Sequence, residues 1–125
     1  MKKLFIANTA QRDLVDIGAY TESNWGAKRK RQYLDAIRQK FGALRANAEI
    51  GVAREDVRPG YRSLVCGRHH IFYRETDDAV VVLRVLHGSM DVHRHIGDAE
   101  DRAFEVLARP KDKRRARGKD DDLSR

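Results

Sequence analysis

The run Ala79–Leu86, AVVVLRVL, constrains this chain more than any other segment. Only Arg84 interrupts its apolar character. A run this short and this rich in Val reads as a strand, and a strand without polar alternation needs cover on both faces. It closes a stretch punctuated by turn residues at Pro59-Gly60, Gly67 and Asp77-Asp78. Between those turns lie Tyr61–Val65 and His69–Glu75, both with strand composition. The three runs together predict a two-hairpin antiparallel meander.

Ahead of the meander the periodicity changes. Leu4-Phe5-Ile6-Ala7 is a short candidate strand, with Asn8 and Thr9 as N-cap candidates and Gln11 at capping-box spacing from Asn8. Ala10, Leu14, Ile17 and Thr21 fall on one face of a helix. Asn24-Trp25-Gly26 breaks it, and Tyr33, Ile37, Phe41, Leu44 and Ala48 mark a second helix from Ala27 to Ala48. So short a break predicts an antiparallel helical hairpin. Trp25 is expected to pack at its corner, the alternative being an exposed partner contact. Residues 49–60, with Gly51, Pro59 and Gly60, read as a loop. The predicted order is β-α-α-β-β-β: an α+β fold with the N-terminal helical hairpin on one face of an antiparallel sheet.

Residues 98–108 can form one more helix, with Asp98 as N-cap and Ala103, Phe104 and Leu107 as its stripe. Beyond it, residues 109–125 lack an apolar stripe and read as a disordered charged tail. Eight Lys/Arg against four Asp give that tail +4 of the chain's +7, leaving +3 for the first 108 residues. The balance permits acidic partners. About a hundred folded residues bury roughly 60–65% of their unfolded surface, an adequate but modest core. The single cysteine, Cys66, excludes an intrachain disulfide, fits a reducing compartment and reads as a small apolar filler. The N-terminal apolar run is too short for a signal peptide and no stretch approaches a membrane span, so a cytoplasmic protein with no membrane partner is expected.

Several pieces of text resemble one family. DLVDIGAYTESNWG, the helix carrying Tyr33, Ile37, Phe41 and Leu44, an arginine-glycine-tyrosine-arginine approach to the meander, HHIFYR and RVLHGSMD look like a ParE-type toxin of the RelE/ParE toxin superfamily. The likeness covers about residues 3–97, which makes 1–97 the expected toxin domain. It implies the toxin of a type II toxin–antitoxin pair, acting without catalysis by binding DNA gyrase and poisoning its cleavage complex. It also implies a ParD-like antitoxin, whose C-terminal segment folds into the groove between hairpin and sheet, in a toxin–antitoxin hetero-oligomer that meets operator DNA only through the antitoxin. Leu14, Ile17, Tyr20 and Trp25 are the expected antitoxin-side residues.

The arginines are the most suggestive polar set. Arg58, Arg62, Arg74 and Arg84 lie on or beside the meander, and residues two apart on a strand share a face, so several can converge. Converging guanidinium groups suit phosphate or carboxylate recognition. Arg84 is costly inside an apolar run unless paired, and Asp56, Glu75 and Asp91 are candidate partners. With His87, Met90 and Asp91 these arginines form the expected target-binding set, and gyrase contact is expected from Arg84–Ile96. Lys28-Arg29-Lys30-Arg31 reads first as a solvated face and otherwise as a patch for nucleic acid or an acidic partner.

The alternative function is a RelE-like ribosome-dependent mRNA endoribonuclease using Arg62, Arg84 and His87. The absence of lysine between Lys40 and Lys111 argues against it. A non-toxic, antitoxin-binding homologue is a third possibility. His69-His70 point to opposite faces and His93/His95 carry no companion motif, so no metal site is expected. The glycines are isolated and no nucleophile elbow is present, so no cofactor is expected. The basic tail either adds salt-sensitive DNA affinity or has no role.

Overall fold

The computed structural model describes residues 1–109. The elements run β1 (Lys3–Ile6), α1 (Asn8–Ala46), a 3-10 turn (Ala48–Ile50), β2 (Val52–Ala53), β3 (Arg62–Cys66), β4 (His69–Glu75), β5 (Ala79–His87), α2 (Val92–His95) and α3 (Asp98–Leu107). The tail expected over 109–125 lies outside the described residues from position 110 onward.

α1 is two arms. Gly26 sits at φ 90°, ψ 169° inside it, a left-handed conformation that costs glycine nothing and breaks the helix. The first arm buries Ala10, Asp13, Ile17 and Thr21 and the second Ile37, Phe41 and Leu44, so the predicted helical hairpin forms. Its N-terminus differs from expectation. Ala7 is the N-cap and makes no side-chain cap bond. The Thr9 hydroxyl instead donates to the Leu83 carbonyl at 2.8 Å, and Gln11 Nε2 donates to the Ile6 carbonyl at 3.0 Å. A backbone acceptor on the neighbouring strand has displaced the local cap.

The five strands form one sheet in the order β1-β5-β4-β3-β2. β5 is an interior strand between β1 and β4, buried along nearly its whole length, as its composition required. β1 runs parallel to it, so the sheet is mixed, and the other pairs are antiparallel. β2, unseen in the sequence, is two residues between Gly51 and Arg54, too short to carry a pattern.

The register from β4 to β5 slips between Phe72, opposite Arg84, and Tyr73, opposite Val82, leaving Leu83 as an extra residue. The two faces of β5 show the same slip. Val80, Val82 and Val85 join the core beneath α1, while Val81, Leu83 and Leu86 join a second core with Tyr61, Phe72 and Ile96. Phe104 and Leu107 of α3 close that second core. Helices therefore cover both faces of the sheet, α1 on one and α3 on the other.

β1 ends at Ile6, and the start of α1 takes over the edge of β5. Ala7 N–H donates to the Val82 carbonyl at 2.9 Å, and Val85 N–H donates to Asp13 Oδ2 at 2.9 Å. Backbone groups that would otherwise be buried without partners are thereby satisfied.

Candidate functional site

Arg84, placed at the bulge, does not pair with Asp56, Glu75 or Asp91. It makes a two-pronged bond with Asp13, Nε to Oδ2 at 2.8 Å and Nη2 to Oδ1 at 2.9 Å. Its Nη1 donates to the His95 carbonyl at 2.6 Å and lies 3.8 Å from Glu100. The Asp13 bonds hold the guanidinium above its ordinary pKa, so it stays charged in a partly buried place. One side chain thus ties α1, the sheet and the start of α3 together. Asp13 escaped the sequence reading although a signal was present. It stands three residues after Ala10 and four before Ile17, on the apolar stripe, where an acid needs a partner.

The other arginines divide between the two faces. Arg62, at the start of β3, donates from Nη2 to the carbonyls of Glu49 at 3.1 Å and Gly51 at 2.8 Å. Its Nε is buried without a partner among the described residues. Arg58 pairs with Asp98 at 3.0 Å and Asp101 at 3.2 Å. Arg74 stacks over the rings of Tyr61 and Phe104, 5.6 and 4.0 Å from their centroids. Three of the four therefore converge, but on α3. That helix starts after Gly97 rather than at Asp98 as N-cap, and Glu100 reaches back to accept from Gly97 N–H at 2.8 Å.

His87 closes β5 opposite His69 on β4. Their rings meet edge to face, 5.4 Å apart. His87 Nδ1 accepts from Ser89 N–H at 3.1 Å. Tyr33 Oη lies 2.6 Å from His69 Nδ1, 3.1 Å from the Cys66 carbonyl and 3.2 Å from the Arg68 amide. Burial, helped by the neighbouring His87, pushes the His69 imidazole below its ordinary pKa. Arg62 pairs with Tyr73 of β4, whereas His87 pairs with His69 at the other end of that strand. Four strand residues set the two apart by roughly 13 Å along the sheet. Arg62, Arg84 and His87 therefore do not face one phosphate. Cys66 is buried, which pushes its thiol pKa up and leaves it a packing residue. Among the described residues no group of three or more His, Cys, Asp or Glu could hold a metal ion.

The four hairpin residues separate as well. Ile17 is buried in the core and Leu14 packs against it. Tyr20 and Trp25 are each 63% exposed. The expectation that Trp25 packs at the corner fails, because its ring lies edge-on to Tyr20, 5.9 Å away, rather than under the sheet. Past β5, Met90 is 48% exposed and Asp91 is exposed, its carboxylate capping His93 N–H at 3.1 Å.

A family model described as the ParE toxin of the type II toxin-antitoxin system, parDE, matches residues 4–92. The chain belongs to the ParE toxin family. Toxin ParE1 of Mycobacterium tuberculosis is 38% identical over 95 residues, 75% of this chain and 97% of that protein. Toxin ParE1 of Caulobacter vibrioides is 33% identical over 97 residues, 78% of this chain and 100% of that one. Among solved structures, the chromosomal ParDE TA system from P. aeruginosa matches with a TM-score of 0.62 at 21% identity, over 70% of this chain and 96% of that one, a likeness of fold. The family's type II toxin role comes with membership. In ParE terms the matched residues comprise both arms of α1 and the sheet apart from Lys3, whereas α3 lies past them, held by Arg58, Arg74 and Arg84. No helix among the described residues is long and apolar enough to cross a membrane.

Proposed function

We propose that this ParE-family toxin inhibits DNA gyrase without catalysing a reaction, in the cytoplasm, and is neutralised by a ParD-like antitoxin. Family membership supports the target and the partner. The observation that carries the non-enzymatic part is the commitment of the cations. A ribonuclease needs guanidinium groups free to clamp a phosphate beside an acid or base. Here Arg84 is spent on Asp13, and Arg62 on the carbonyls of Glu49 and Gly51.

The antitoxin segment folds against the hairpin, where Leu14 offers a half-buried edge and Tyr20 and Trp25 offer exposed rings. The gyrase-facing segment is the irregular stretch after β5, with Met90 and Asp91 at its surface. Deleting residues 88–97 would also remove Ile96 from the second core, so point substitution is the cleaner probe.

The test is the purified protein, released from its antitoxin, in a gyrase supercoiling and cleavage assay on plasmid DNA. Linear DNA accumulating with ATP supports the reading, and Met90→Ala should weaken it about tenfold. An inert gyrase assay combined with messenger cleavage on translating ribosomes would transfer the function to the nuclease.

A further inference from the structure

The tip of the helical hairpin carries a feature that the fold does not use. The chain has one Trp, four Tyr and four Phe. All four Phe and the tyrosines at 33, 61 and 73 are buried or half-buried, while Tyr20 and Trp25 are exposed and touch each other. An exposed aromatic pair gives up the burial that usually justifies such side chains. Gly26, with its positive φ, turns the chain immediately after Trp25, and Asn24 Nδ2 donates to the Tyr20 carbonyl at 2.8 Å to hold the end of the first arm.

Beyond the turn come Lys28, Arg29 and Arg31, all exposed and without an ion pair among the described residues. Lys30 alone of the four pairs, with Glu22 at 3.3 Å. The tip therefore presents two ring surfaces beside three uncompensated cations. Between Val15 and Ile50 no large aliphatic side chain is exposed. The exposed apolar surface at the tip is therefore aromatic rather than aliphatic. Exposed rings and exposed cations a few residues apart are the two elements a single-stranded nucleic acid uses, with bases stacked on the rings and phosphates held by the cations.

We propose that Tyr20, Trp25, Lys28, Arg29 and Arg31 form a binding site for single-stranded nucleic acid. The site stands apart from the gyrase reading and needs no base-specific contact. Antitoxin lying over the same rings excludes the nucleic acid, so the free toxin is the binding form.

Trp25 is the sole tryptophan, so the intact chain reports on its own tip. The experiment titrates the full-length, antitoxin-free protein with oligo(dT) and follows Trp fluorescence, with poly-glutamate as the second probe. The expected result is quenching by oligo(dT) with a log–log salt slope of about −2, as three phosphate contacts on a single strand require. Tyr20→Ala should weaken binding about tenfold. The triple variant Lys28→Glu, Arg29→Glu, Arg31→Glu should abolish quenching while far-UV circular dichroism is unchanged, because these side chains are exposed and off the core. Equal or tighter binding of poly-glutamate would overturn the proposal in favour of an acidic protein segment. A Trp signal that neither probe changes would overturn it outright.

Discussion

Asp13 and Arg84, 71 positions apart in the chain, face each other in a two-pronged ion pair with bonds of 2.8 and 2.9 Å. Asp13 Oδ2 accepts a third bond from Val85 N–H at 2.9 Å. Removing Asp13 leaves the Arg84 charge without its carboxylate and the Val85 N–H without its acceptor. Asp13→Ala should cost about 3–5 kcal/mol, measured by denaturant unfolding. Replacing Arg84 together with Asp13 by apolar residues should recover part of that loss, because the stranded charge is then gone. A single Asp13→Ala within 1 kcal/mol of the parent would refute the role given to this pair.

His69 makes stability depend on pH in one direction. Its folded pKa lies below the ordinary value, so the unfolded chain binds the proton more readily. The stabilisation is complete above the unfolded value of about 6.5 and is lost as pH falls through the folded value. Thermal unfolding followed from pH 8 to pH 5 should show this loss, and His69→Gln should flatten it. An identical profile in the variant would assign the acid sensitivity elsewhere.

The β3–β4 turn is set by Gly67, at φ 58°. A Cβ there would stand 2.7 Å from the Tyr33 ring and its hydroxyl, which donates to the Cys66 carbonyl and accepts from the Arg68 N–H. Gly67→Ala should lose about 1–2 kcal/mol from the backbone conformation alone, and more from the displaced ring. The denaturation midpoint measures it. Tyr33→Phe in the Gly67→Ala background should cost less than in the parent, since the hydroxyl's bonds are already disturbed.

α3 should behave as part of the fold. Phe104→Ala removes a ring from the second core and the platform under Arg74, at a cost of about 2 kcal/mol. Val106→Ala, on the exposed side of the same helix, should stay within about 0.5 kcal/mol. Equal effects at both positions would mean that α3 does not pack as described.

The fold was largely readable because its signals are local. The Val-rich run could only be a covered strand, Gly67 and Asp77-Asp78 could only be turns, and apolar spacings of three and four around Gly26 could only be a broken helix. β2 was not readable, since two residues carry no period. Nor was the helix cap, because Thr9 chose a carbonyl on a strand far away in sequence.

By itself the sequence determined the order of the main elements, without β2 and α2, the double-sided burial of β5 and the resemblance that family membership bears out. Only the tertiary structure decided what the charged and aromatic side chains do. One bulge residue placed Arg84 against Asp13, the docking of α3 took up Arg58 and Arg74, and the turn at Gly26 left Tyr20 and Trp25 at the surface. Periodicity reports which face a residue occupies. The partner of a charge or a ring is set by long-range register and packing, which no local pattern contains.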